Sequence, residues 1–368
     1  MNASLEIQAI AVVVALSCAL PGVFLVLRRM AMLSDAISHA ILPGIVVAFF
    51  LTQDLSSPLL IFGAAAAGVL TVALVELLRR TGLLKEDAAI GIVFPAMFSV
   101  GVLLIARYAG DVHLDVDAVL LGELAFAPFD RITVAGIDMG PRSLLVMGGI
   151  LGLNVLFLSI FFKELKLTTF DAALAASLGF APGLLQYAFM TVVSVTIVGA
   201  FDAVGSILVV ALMVAPPAAA YLLTDDLRRM VVISGTGAVI SALGGYWLAR
   251  GLDVSIAGSM ASVSGLWFLI VLVFAPERGL IFRARQRRQQ RAVFACDMLL
   301  IHLYHHEGLP EAEQECRIGH LQDHLKWQPS FAEMAVRVAK KEGFLCVENG
   351  LMNLTNKGRI QAQHALVY

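Results

Sequence analysis

Nine runs of apolar residues, each long enough to cross a hydrocarbon layer of about 30 Å as a helix, dominate this chain of 368 residues. They lie near 5–27, 37–53, 58–78, 88–106, 143–162, 184–201, 204–222, 230–250 and 256–275. Such a chain is expected to fold as a bundle of membrane-spanning helices, because a soluble core of this size has no use for so much apolar sequence. The mean hydropathy of +0.85, with 59% hydrophobic and 15% charged residues, points the same way. The first run lacks a basic stretch before it and a small-residue cleavage site after it, so it reads as a retained span rather than a signal peptide.

Charge placement orients the bundle. Arg28/Arg29, Arg79/Arg80/Lys85, Lys163/Lys166, Arg228/Arg229 and a basic segment near residue 285 fall in alternate connections. The positive-inside rule then predicts an extracytoplasmic N-terminus and a cytoplasmic C-terminus. Asp202, Gly199 and Gly205 interrupt the sixth and seventh runs, and Pro216–Pro217 lies within the seventh. A re-entrant pair there would preserve the same parity. Cys18, Cys296, Cys316 and Cys346 are scattered, so they read as reduced thiols rather than a disulfide framework or a CxxC metal site.

Within the second run, MLSDAISHAILPG at Met32–Gly44 sets Asp35 and His39 four residues apart, on one face of a helix. Ionisable groups inside a membrane span are costly and mark pathways or partners. A carboxylate oxygen beside an imidazole nitrogen offers half of a coordination shell for Zn²⁺, Mn²⁺ or Fe²⁺, while Pro43 and Gly44 are expected to bend or break the helix. The alternative is a helix cap at Asp35 and a hydrogen-bonded neighbour for His39.

Two connections stand out. Arg107–Arg142 holds Asp111, Asp115, Asp117, Glu123, Asp130 and Asp138 against three arginines, with His113 among them. It reads as an acidic extracytoplasmic rim, either a plain solvated loop or a surface for cations or a partner, built of short helices lying on the bilayer. In Lys163–Pro182, Thr169 or Asp171 can cap a short helix of small residues that Gly179 ends. On local features alone it is an interfacial helix or a docking helix for a motor protein.

Three blocks, RRMAMLSDAISHAILPGI at Arg28–Ile45, FDAALAASLGF at Phe170–Phe180 and VGSILVVALMVAPPAAAYLLT at Val204–Thr224, occur in the order and spacing of one family. In them the chain resembles the membrane permease subunits of ATP-binding-cassette importers for zinc, manganese and iron, over roughly residues 1–280. The resemblance implies a type II importer-like, all-α polytopic fold with a substrate path between two permease chains. It places Asp35 and His39 on the metal path. It makes Asp171, Ala172, Ala173, Leu174, Ala175, Ala176, Ser177 and Leu178 a cytoplasmic coupling helix seated on an ATPase dimer. It further implies an extracytoplasmic metal-binding protein as partner and a prokaryotic inner-membrane location. The chain has no phosphate-binding loop, so it is not expected to be an enzyme, and ATP hydrolysis belongs to a separate subunit. No permanently bound cofactor is expected; the metal ion is cargo.

Beyond residue 282 the character changes. Arg283, Arg285, Arg287, Arg288 and Arg291 form a basic linker at 283–291, suited to anionic lipid head groups. Residues 292–368 read as helices, a hairpin around Glu348–Asn349–Gly350 and a closing helix. That order, with LMNLTNKGRIQAQHAL, resembles the winged-helix domain of iron- and manganese-dependent repressors. Its second helix, Phe331–Glu342, offers Arg337, Lys340 and Lys341 but no dense basic face, so nucleic acid is not the expected partner. His302, His305, His306, His320 and His324 are numerous, and His320 and His324 have helical spacing for a regulatory metal, or are plain surface histidines.

The expectation is therefore a permease at 1–282, a linker at 283–291 and a winged-helix-like domain at 292–368, importing a divalent metal by alternating access. Two rivals are a permease for a metal chelate such as a siderophore or haem, which needs no Asp/His pair, and a membrane-tethered metal-responsive transcription regulator, which needs no nine spans.

Overall fold

The computed structural model describes residues 3–53, 57, 59–108, 124–134, 137–310, 312–317, 319–321, 326–348 and 350–367. Two compact units divide at 275/276. Among the described residues of the first, nine helical segments are long and apolar enough to cross a membrane. The helices are α1 (Ala3–Leu27), α2 (Ala31–Ala40), α3 (Leu42–Thr52), α4 (Leu59–Arg80), α5 (Glu86–Tyr108), α6 (Arg142–Ile160), α7 (Phe162–Phe170), α8 (Ala172–Ser177), α9 (Pro182–Val204), α10 (Ser206–Leu223), α11 (Leu227–Leu252) and α12 (Ile256–Phe274). The second span is α2 and α3 together, broken at Ile41. Pro43, in the first turn of α3, has no N–H to donate to the His39 carbonyl four residues back, and this accounts for the break just before it.

The sixth and seventh spans are full-length helices with Gly205 between them at φ +78°, a left-handed value that glycine adopts without strain. Helix α1 is the centre of one half of the bundle and packs against α6, α10 and α11; α2–α5 form the other half, joined to it through α9. Apolar attraction does little between helices in lipid, so close backbone approach does the work. At the α3–α4 crossing Gly44 faces Gly63 and Ala67, and Gly63 faces Gly44 and Ala48. A Cβ on either glycine would come within 2.0–2.4 Å of the other's carbonyl oxygen. A buried polar knot also ties three helices. The Asn154 side-chain amide on α6 donates to the Ser17 carbonyl on α1 (3.0 Å) and to Thr196 Oγ1 on α9 (3.0 Å).

The Arg107–Arg142 connection differs from expectation where it is described. In place of surface helices, β1 (Arg131–Val134) and β2 (Ile137–Pro141) pair antiparallel. Arg131 bridges Asp138 at 2.7 Å and the buried Glu6 of α1 at 3.1 Å, which pins the hairpin to the N-terminal end of the bundle. Asp138 lies below the usual carboxylate range because it accepts from the Gly140 N–H and from Arg131. Asp111, His113, Asp115, Asp117 and Glu123 lie outside the described residues.

In the second unit the basic segment 283–291 is helical. It forms the first half of α13 (Leu280–His306), which no glycine or proline interrupts, and its five arginines are exposed. Then come α14 (Ala312–Glu315), α15 (Pro329–Lys341), the hairpin β3 (Leu345–Glu348) with β4 (Leu351–Leu354), and α16 (Asn356–Val367). The register pairs Glu348 with Leu351, leaving a two-residue turn with Gly350 at φ +81°. Leu299, Leu300 and Leu303 of α13 meet Ala332, Ala335 and Ala339 of α15 and Leu345, Met352 and Leu354 of the hairpin in a core of their own.

Candidate functional site

Helix α2 starts three residues after Arg28, and its second turn carries Asp35. His39 Nε2 lies 3.7 Å from Asp35 Oδ1, with the two side chains 29% and 46% exposed respectively. That gap exceeds a good hydrogen bond. It is close to the separation of about 3.0–3.4 Å between two ligands that share one ion at about 2.0–2.2 Å. Asp35 does not cap α2, since the N-cap position is Met30 and has no side-chain bond. The His39 ring packs against Phe94 and Phe98 of α5, with centroids 5.6 and 6.4 Å apart. Aromatic walls on one side thus fix the imidazole, while the carboxylate face stays open.

Helix α8 forms as its sequence demands. Asp171 is the N-cap, its carboxylate accepting the Leu174 N–H at 2.9 Å. At the other end Gly179 takes φ +88°, and the N–H groups of Gly179 and Phe180 donate to Ala176 and Ala175, closing the helix as a Schellman turn. Ala175 alone among Asp171–Phe180 is buried. Leu174, Leu178 and Phe180 are 46%, 61% and 43% exposed, next to Phe170 at 64%. The capped helix thus leaves an exposed apolar face.

The link between these two segments is Arg28, which the sequence marks only as a topology signal. Its guanidinium donates to Thr169 Oγ1 (3.0 Å) and Thr168 Oγ1 (3.1 Å) at the end of α7, and also to Gln186 Oε1 on α9. It stacks over Phe189 at 5.2 Å. Burial pulls its pKa down to about 10, which still leaves it charged at neutral pH. One side chain therefore joins the base of the α8 segment to the junction from which α2 begins. This contact also requires that both connections lie at the same end of the bundle, as the alternation of spans demands.

In the second unit the histidines regroup. His320 Nε2 lies 2.8 Å from Glu315 Oε2. Glu315 also approaches His302 and His306, one turn apart on α13, and the three ligand atoms lie within 4.8 Å of one another. The expected partner of His320 was His324, which lies outside the described residues. A turn, not a helical repeat, brings Glu315 to the histidines, so no spacing in the sequence marks it.

Nine membrane-length segments, an ionisable pair on a broken helix and an outward-facing capped helix in a loop are the features that the described residues bring together. The chain belongs to the ABC 3 transport family, whose model matches residues 5–275. It is 47% identical over 363 residues to the zinc transport system membrane protein TroD of Treponema pallidum, covering 99% of each chain. It is 45% identical over 289 residues to the manganese transport system membrane protein MntD of Bacillus subtilis, covering 78% of this chain and 98% of that one. Its fold is similar to a chain of PsaBC from Streptococcus pneumoniae, solved in complex with a Fab, with a TM-score of 0.61, 28% identity and coverage of 76% of this chain and 94% of that one. The protein is thus a multi-pass permease component of a metal-importing ATP-binding-cassette system, and hydrolysis of ATP falls to a separate subunit.

Proposed function

We propose that this permease carries bare Zn²⁺ or Mn²⁺ across the inner membrane, and that Asp35 and His39 are its ligands on the path. The observation that carries this is their pairing at 3.7 Å on a partly exposed face of a membrane helix, where an open carboxylate has no cheap structural use. Two donors per chain hold an ion weakly. Facing the same pair of a second permease chain across a two-fold axis, they would make a four-donor site that still releases its cargo, as transport requires. Relatives named for zinc and for manganese support a bare ion over a chelate. Iron is named for a more distant relative, a probable iron transport system membrane protein of Haemophilus influenzae at 28% identity.

In this reading α8 is the coupling helix. Its apolar face at Leu174, Leu178 and Phe180 seats on a cytoplasmic ATPase dimer, and Arg28 passes its displacement to the start of α2. An extracytoplasmic binding protein delivers the ion at the N-terminal side, and the C-terminal unit is cytoplasmic. The test is uptake of Zn²⁺ and Mn²⁺ by cells lacking other importers. Wild type should restore uptake of at least one of the two, and Asp35→Ala or His39→Ala should abolish it while the protein still inserts; unchanged uptake in both variants overturns the site.

A further inference from the structure

We propose that His302, His306 and Glu315 of the C-terminal unit form a second metal site, separate from the transport path and suited to Zn²⁺. The unit contributes the donors from two elements. His302 and His306 are one turn apart on α13, with ring centroids 4.7 Å apart, and Glu315 ends α14. His302 Nε2 is 3.9 Å from Glu315 Oε2, and the three donor atoms all fall within 4.8 Å. Ligands at about 2.0–2.2 Å from a tetrahedral Zn²⁺ stand about 3.4 Å apart, so small side-chain rotations close the set. Two imidazoles and one carboxylate favour Zn²⁺ over Mn²⁺, which prefers six oxygen donors.

Burial argues for a built site over surface histidines that happen to meet. The His302 side chain is 7% exposed and that of Glu315 16%, at the edge of the core that Leu299, Leu303 and Cys316 share. The carboxylate is also held from behind, because His320 lies within hydrogen-bond distance of the same oxygen at 2.8 Å. Such an outer histidine fixes the orientation of a ligating carboxylate and raises affinity without binding the ion itself. His320 is therefore assigned as a positioning residue. Three protein donors leave a tetrahedral ion one position to fill with a further ligand such as water.

This site does not rest on the transport reading, and the experiment keeps the two apart. The full chain, purified in detergent with Asp35→Asn and His39→Gln already in place, is titrated with Zn²⁺, Mn²⁺ and Co²⁺. One Zn²⁺ per chain should bind more tightly than Mn²⁺, and Co²⁺ should show the intense visible bands of a four-coordinate ion. His306→Gln and Glu315→Gln should each abolish this, and His320→Gln should weaken Zn²⁺ by about 10–100-fold. His305→Gln, an exposed neighbour, should change nothing. His306 and Glu315 are chosen because the more buried His302 risks the fold, and circular dichroism of each variant checks that it is intact. Zn²⁺ binding that is unchanged in folded His306→Gln and Glu315→Gln chains overturns the proposal, as does its absence from the parent.

Discussion

The permease bundle and the C-terminal unit are both mostly helical, yet they are held together by different physics. In the C-terminal unit, α15 is amphipathic: Ala332, Ala335, Val336 and Ala339 are buried at helical spacing while Arg337, Lys340 and Lys341 face out. Water rewards that separation of faces. In the bundle, α1 and α3 are comparably apolar, but α1 is largely buried whereas α3 buries only Pro43, Val46 and Ala48. Lipid and protein are equally good solvents for a leucine, so burial there follows small residues and buried polar groups instead. The relatives divide along the same line. The Treponema pallidum protein spans both units, whereas the Bacillus subtilis protein, covered almost whole by 289 aligned residues, has no room for a tail of this length.

That contrast can be broken at the α3–α4 crossing, where the largest effect is expected. Gly63→Leu drives a side chain into the Gly44 carbonyl and should prevent a folded bundle, read as loss of a monodisperse peak in detergent. Leu70→Ala, at an exposed apolar position of the same helix, should leave that peak intact. Next in size is the α8 face. Ala173→Glu with Ala176→Arg should leave the bundle folded but lower uptake by tenfold or more, about 1.4 kcal/mol of lost coupling, with co-purification of the ATPase reduced. If assembly and uptake both survive, α8 is not the docking helix.

Arg28→Met should give a smaller, separable defect. It removes the bonds to Thr168 and Thr169 without touching the α8 face, so ATPase binding should persist while transport per ATP falls. Deleting residues after 282 should leave insertion and basal uptake in place, because the chain divides into two compact units; loss of insertion would show that the units fold as one. The smallest effect belongs to Glu307, whose carboxyl is held below its usual range first by hydrogen bonds from Arg359. A depressed carboxylate stabilises the fold above its unfolded pKa and stops doing so as pH falls through the folded value. Because both side chains are partly exposed, Glu307→Gln should cost under about 1 kcal/mol at neutral pH. Hydrogen exchange in α16 should show that difference and lose it in acid.

Legibility in the sequence followed the same divide. The spans were readable from hydropathy, and the α8 helix from Asp171 and Gly179, because caps and length are local properties. The hairpin at Arg131–Pro141 was not, since what selects it is the bridge from Arg131 to Glu6, 125 residues away in the chain. Arg28 carried two meanings and only the topological one is visible without coordinates. Glu315 likewise joins His302 and His306 through a turn, which no periodicity announces. Asp35 and His39 were legible as a pair because one helical turn is a local distance.

The central claim is that Asp35 and His39 handle the ion while the motor acts elsewhere. Reconstituting the permease with its ATPase and binding protein in proteoliposomes, and measuring metal uptake and ATP hydrolysis together, tests it most directly. Asp35→Asn and His39→Gln should assemble normally and hydrolyse ATP, yet carry no metal. Transport per ATP equal to wild type in both variants would contradict the claim.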